Sequence, residues 1–245
     1  MRRILAIMLL QIFFGGTISG SQAQGDILAE ILPFPIDATN VPLRDALSRI
    51  DSGLLEPRYV IFGVELAPRP VPEPLITLHV QGGARVAEVL AQIMRQAQGY
   101  AYSVVNTHLI SVYSVPWQHD SRNLLNTRIE KVELSDQAVV DLLHTPWVSI
   151  AEVRQRMYET QAGRPATFAG EVARSKLGPK LSLKLENVTL RDVLNAAAET
   201  ISQAPPPWSR TGWVYEFDST GTNPFQQNHW TNLFSTKVRE NRNTP

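Results

Sequence analysis

The sequence predicts an α+β fold of two tandem small βαββαβ-like modules, with helices packed on small mixed sheets. Three observations lead there. Short alternating apolar runs take turns with stretches whose apolar residues recur every three or four positions, so strand and helix signals interleave. The phrase NVPLRDAL, Asn40–Leu47, returns as NVTLRDVL, Asn187–Leu194, with six of eight residues identical. The proline-rich stretches Ala67–Pro74 and Ala204–Trp208 separate periodic segments. Proline lacks an N–H and restricts its neighbour, so both stretches read as extended connectors.

The first module, residues 31–116, begins with a strand in which Phe34, Ile36 and Ala38 alternate. Leu43, Ala46, Leu47 and Ile50 then form a helical stripe. Arg58–Leu66, rich in β-branched and aromatic residues, reads as a strand. After the proline connector Ile76, Leu78 and Val80 alternate, and Val86, Val89, Leu90, Ile93 and Ala97 make a second helical stripe. Tyr100–Val115 reads as two antiparallel strands turning near Asn106 and Thr107. The expected order is β-α-β-β-α-β-β.

The second module, residues 128–218, restarts with a strand at Arg128–Leu134. Ser135 is a candidate N-cap for a helix over Asp136–His144, and Ser149 with Glu152 forms a capping-box pattern before another. Gln161–Lys180 reads as loop. Leu181–Leu185 alternates, Leu190, Val193, Leu194, Ala197 and Ile201 form a helical stripe, and Gly212–Phe217 closes with a strand. Residues 219–245, rich in Thr, Asn and Gln, read as a flexible tail with Phe225, Trp230 and Phe234 as sticky points.

Five of the eight positions of the repeated phrase have a local task. Asn40 and Asn187 sit where the backbone turns. Pro42 and Thr189 differ chemically, yet both suit a helix start. Asp45 and Asp192 favour the positive end of the helix dipole. Leu43 with Leu47, and Leu190 with Leu194, point into the core. A looser copy, Ile76–Leu90, aligns with Leu181–Leu194, and Gly99–Tyr102 echoes Gly212–Tyr215. One strand–turn–helix–strand unit therefore recurs.

Length and composition set outer bounds. The 245 residues suit one or two modest domains, and the formal net charge is zero. No charge excess points to nucleic acid. With no cysteine, disulfides, thiolate metal sites and Cys nucleophiles are excluded. Residues 1–23 read as a signal peptide: Arg2 and Arg3, the apolar run Ile4–Phe14, and an Ala-x-Ala-like end at Ser21–Ala23. An uncleaved anchor is the rival, against which stands the shortness of the run. No later segment reads as a membrane span.

From Phe34 to Ser114 the motifs resemble the short N-terminal (STN) domain shared by secretins and TonB-dependent receptors. The likeness rests on Phe34-x-Ile36-x-Ala38, Leu43-x-x-Ala46-Leu47, Val86-x-Glu88-x-Leu90 and the Gly99–Tyr102 strand. It covers Ile31–Val115, and its second half reappears at Leu181–Phe217. The loop after the first helix and the proline connector make this unit longer than the family's pattern. The resemblance implies an envelope interaction module that docks another module or an export or signalling partner, not a channel.

No catalytic, cofactor-binding or metal-binding residue is nominated. His79, His108, His119, His144 and His229 lack HExxH spacing. His79 reads as a solvated strand residue and His108 as a surface residue beside a turn. His119-Asp120-Ser121 holds the residue types of a catalytic triad, but neighbours in sequence rarely converge as a triad does. Glu65 and Glu73 read as surface charge. Trp117, Trp147, Trp208 and Trp213 read mainly as core residues, with sugar or protein contact as the other use.

The expected function is a non-enzymatic protein-interaction module of the bacterial cell envelope, exported, and periplasmic or peripheral to the outer membrane. Its expected partner is an envelope or outer-membrane protein, with no nucleic acid and no cofactor, and self-association into a homo-oligomer is a further expectation. Arg58–Leu66 is the candidate docking strand. The alternative is a secreted hydrolase or carbohydrate-binding protein.

Overall fold

Both halves of the chain contribute to one five-stranded mixed sheet. The structure is a computed structural model that describes residues 26–55, 58–138, 142, 149–160, 180–202, 211–218 and 228–235. The expected signal peptide, nearly all of the loop expected from Gln161, the Ala204–Trp208 connector, Trp147, Trp208 and His144 lie outside them.

The elements in chain order are β1 (Ile31–Leu32), β2 (Ile36–Pro42), α1 (Leu43–Ser52), β3 (Ile61–Glu65), β4 (Leu75–Val80), β5 (Ala84–Arg85), α2 (Val86–Gln96), β6 (Tyr100–Val104), β7 (Leu109–Ser114) and α3 (Val115–Gln118). The second half adds β8 (Arg128–Ala138), α4 (Ala151–Thr160), β9 (Lys180–Thr189), α5 (Leu190–Ser202), β10 (Thr211–Asp218) and β11 (Asn228–Ser235). The fold is α+β, and from β2 to β7 the main elements follow the expected β-α-β-β-α-β-β order.

The central sheet runs β11-β10-β3-β7-β6. Strand β3 is parallel to both β10 and β7, while β10–β11 and β6–β7 are antiparallel. Two ribbons, β2–β4 and β8–β9, stand apart from it, as does the short β1–β5 pair.

Alternation along β3 and β10 divides the core in two. Phe62, Val64 and Val214 join α1, α2 and the β2–β4 ribbon in one cluster. Ile61, Trp213, Tyr215 and Phe217 join α5, α4 and the β8–β9 ribbon in the other. The helices opened by the two repeated phrases therefore pack on opposite faces of the same sheet.

The phrases behave alike at the backbone. Asn40 and Asn187 both have φ of 55°, in the left-handed region that asparagine tolerates better than most L residues. Leu43 N donates to Pro74 O at 2.9 Å, and Leu190 N donates to Thr127 O at 3.1 Å. The variable third position changes how the helix is capped. Thr189 Oγ1 accepts from Asp192 N while Asp192 Oδ2 accepts from Thr189 N, a reciprocal local cap. Pro42 has no such group, and Glu73 from the proline connector accepts from Arg44 N at 2.8 Å instead.

Close approach sets two glycines. A Cβ on Gly63 would lie 2.6 Å from the Trp213 indole, and one on Gly212 would lie 2.1 Å from Phe62 O. The β3–β10 junction is tight enough to exclude a methyl group.

Several expectations need correction. Arg58–Leu66 was expected as a docking edge, but β3 is interior, paired on both sides, and all five of its residues are buried. The two tandem modules contribute strands to one sheet, β3, β7 and β6 from the first and β10 from the second. Residues 219–245 were expected as a tail, yet Asn228–Ser235 pairs with β10 along its whole length. That strand lacks an apolar alternation and is specified by its partner. Ser135 was expected to cap a helix, but it lies within β8, where Asp136 has φ of 53° beside an irregularity in register.

Gly63→Ala is expected to cost about 1–3 kcal/mol through overpacking against Trp213. Asn187→Val is expected to cost about 1–2 kcal/mol, while Asn187→Gly is tolerated. Denaturant unfolding of the three variants checks both.

Candidate functional site

Titratable groups gather at the β3–β10 junction, one set on each face of the sheet. Position five of the repeated phrase is arginine in both copies, Arg44 and Arg191. Each helix carries its arginine to a glutamate on the strand of the other repeat. Arg191 Nη2 lies 2.7 Å from Glu65 Oε2 on β3. Arg44 Nη1 lies 2.5 Å from Glu216 Oε1 on β10. Glu65 sits opposite Tyr215 in the parallel register, so Glu216 is one step further and points to the other face.

The Glu65 set is closed. Its carboxylate has no exposure, and the Asn123 amide donates to Oε1 while Arg191 holds Oε2. Asn123 also donates to Trp117 O at 3.1 Å, and Leu124 N donates to the Tyr215 hydroxyl at 3.2 Å. Trp117 stacks on Phe217 at 5.2 Å, with the Arg122 guanidinium 5.5 Å from the Trp117 ring. Burial raises the Glu65 carboxyl above the usual carboxylate range, against the opposing pull of Arg191 and the Asn123 hydrogen bond. Burial likewise pushes the Tyr215 phenol up.

The Arg44 set borders an open cleft of about 240 Å³ lined by Arg44, Leu66, Ala67, Arg69, Pro70–Glu73 and Glu216. Glu73 Oε2 lies 2.6 Å from Arg44 Nη2, and Arg69 Nη2 lies 3.3 Å from Glu216 Oε2. Two guanidinium groups face two carboxylates, so the wall is balanced in charge. Its acids are engaged with arginines, an arrangement that braces the connector.

The other expected residues that are described do not converge. His79 Nδ1 meets Asp37 Oδ1 at 2.7 Å across the β2–β4 ribbon, both exposed. His108, expected at the surface, is half-buried, stacked on Tyr59 at 4.4 Å with its Nδ1 buried and unpaired among the described residues. Asp120 holds Arg122 at 2.7 Å rather than His119, so the triad types do not assemble. Trp117 and Trp213 are core residues, and Trp213 Nε1 donates to Asn195 Oδ1 at 3.0 Å. Glu65 and Glu73, expected as surface charges, are both engaged, and Glu65 is fully buried. Among the described residues no group of three His, Asp or Glu side chains is placed to hold a metal.

The open chemistry is backbone chemistry. Strand β6 is an edge of the central sheet, with Ser103, Val104 and Val105 exposed at its end. It carries no charged residue and no proline, the usual protections of a free edge. Comparison of the chain with protein-family models, with curated proteins and with solved structures found no match in any of the three.

Arg191→Met strands the Glu65 carboxylate and is expected to cost about 3–5 kcal/mol at neutral pH. Arg44→Met, at a partly exposed site, is expected to cost about 1 kcal/mol or less. Because the folded state holds the Glu65 proton more tightly than the unfolded chain, its contribution to stability is present at acid pH and lost as pH rises through the raised value. The unfolding free energy of Glu65→Gln should therefore gain on that of the wild type over that rise, as measured by denaturant titrations at several pH values.

Proposed function

We propose that this chain is a non-enzymatic interaction module of the bacterial cell envelope, exported to the periplasm or to the inner surface of the outer membrane. The observation that carries the reading is the open β6 edge, a neutral extended strand whose only neighbour among the described residues is β7. Backbone groups along such an edge recruit another strand, and the side chains between them set selectivity. Among the described residues Glu65 is fully buried, with Arg191 and Asn123 holding its two carboxylate oxygens.

The envelope location rests on the sequence of residues 1–23 and on the STN-like motifs between Phe34 and Tyr102. Those motifs connect the proposal to secretion, pilus or TonB-linked systems, in which an outer-membrane protein is the natural partner. No helix among the described residues is long and apolar enough to cross a membrane.

Crosslinking followed by mass spectrometry in the native envelope tests this function. A defined complex with a membrane or export component is the expected result. Recovery of the chain alone, together with glycan or peptide turnover by the purified protein, would overturn it in favour of a secreted hydrolase.

A further inference from the structure

The partner at the β6 edge can be narrowed from the hydrogen-bond parity of the strand, an inference that rests on the interaction function proposed above. Val105 N donates to Leu109 O at 2.9 Å, and Val115 N donates to Gly99 O at 2.8 Å. Both bonds belong to the antiparallel register that pairs Tyr100 with Ser114 and Val104 with Ile110. Gly99, Ala101, Ser103 and Val105 therefore turn their backbone groups towards β7. Tyr100, Tyr102 and Val104 turn theirs to the free side. The Tyr100 N–H is used by Ala97 O at 3.1 Å. The N–H groups of Tyr102 and Val104, and the carbonyls of all three, have no partner among the described residues.

We propose that this edge pairs antiparallel with the same edge of a second copy, joining the two central sheets across a two-fold axis at Tyr102. In that register each Tyr102 N–H meets the Tyr102 carbonyl of the other copy. Each Val104 N–H meets the other Tyr100 carbonyl. The Tyr100 N–H, already engaged, is the only outward donor without a role. Tyr100 lies across from Val104, and Ala101 from Ser103, so a large residue meets a medium one on one face and small residues meet on the other.

Charge favours a second copy as the occupant. From Tyr100 to Val105 there is no ionisable acid or base apart from the tyrosines, so self-pairing brings no like charges together. Without residues 1–23, which hold Arg2 and Arg3 and no acid, the formal net charge is minus two, so long-range repulsion between copies stays weak. The ribbon strands are less suited: β2 carries Asp37, β4 carries His79, and β8 and β9 carry acids and bases along their length. Val104 is 43 % exposed and Val105 47 %, so the end of the strand offers apolar area as well as hydrogen bonds. A two-fold pairing uses the same strand on both copies and closes at the dimer.

Sedimentation equilibrium of the chain purified from the envelope fraction tests the pairing, alongside Val104→Pro and Val104→Lys. Val104 faces away from β7, so proline there removes an outward N–H and spares the β6–β7 bonds. The wild type is expected to form a reversible dimer, and both variants to dimerise at least tenfold more weakly with unchanged circular dichroism. A wild type that stays monomeric, variants that dimerise equally well, or open-ended polymers would each overturn the proposal. If the proline variant misfolds, the lysine variant decides. A photo-crosslinking residue at position 104 then separates the two levels of inference in the envelope. A product of twice the chain mass supports the second copy. A product with a different protein overturns the second copy and leaves the interaction function standing, whereas no product with any protein overturns the second copy and counts against that function.

Discussion

The parallel pairing of β3 with β10 is the constraint on which the rest of the structure depends. Gly63 opposite Trp213, and Gly212 against the Phe62 carbonyl, bring the strands into contact that no side chain interrupts. Once the two strands are neighbours and parallel, alternation decides everything above and below them. Val64 and Val214 share one face, Glu65 and Tyr215 the other. The helix that leads into β3 packs on the first face and the helix that leads into β10 on the second. A duplicated unit thus supplies both layers without needing a second kind of building block.

The reciprocal arginines follow from that arrangement. An arginine on α1 cannot reach the glutamate of its own repeat, because Glu65 points to the opposite face. It reaches Glu216, and by the same logic Arg191 reaches Glu65. The two pairs differ in environment. Glu65 is fully buried with Arg191 and Asn123, where desolvation is severe and the ion pair contributes little net stability over an apolar alternative. What the buried pair adds is discrimination. A slipped or exchanged strand at this junction would leave a charge without its partner, which is far less tolerable than a displaced methyl group. Glu216, beside the cleft, discriminates more weakly because water can replace Arg44.

Much of the architecture was legible in the residues because it rests on periodicity. Leu43, Ala46, Leu47 and Ile50 face one core as their spacing requires, and Asn40 and Asn187 mark backbone turns for the conformational reason expected of asparagine. The role of β3 was not read, although Tyr59–Leu66 is nearly continuous in apolar residues, the pattern of a strand covered on both faces. A lone glutamate within that run was a signal of burial with a partner. The partner's signal was the arginine preserved in both phrases, the one position that turn, cap, dipole and core do not explain. Local rules describe each repeat by itself, and these pairs exist only between repeats. Strand β11 escapes the sequence for a related reason: its pairing is with β10, and Trp230, Leu233 and Phe234 do not alternate cleanly along it.

The same internal symmetry sets where the described sheet keeps its outer strands. Joining the repeats through β3 and β10 places the strand that would have been an exposed edge at the centre of the sheet. The open positions move outward to β6 and β11, the two ends of the sheet. Of these, β6 descends from a hairpin tied to α2 by the Tyr100 turn, and Tyr100 also accepts from Ala67 N at 2.8 Å. One end of the strand is thereby fixed to the proline connector, and the connector is fixed to both repeats through Glu73, Arg44 and Glu216. An edge held this firmly loses little conformational freedom when another strand adds to it, which lowers the cost of association. The bracing charges and the free backbone groups are therefore parts of one arrangement: the ion pairs close the seam between repeats, and by closing it they present a rigid, neutral edge at the periphery.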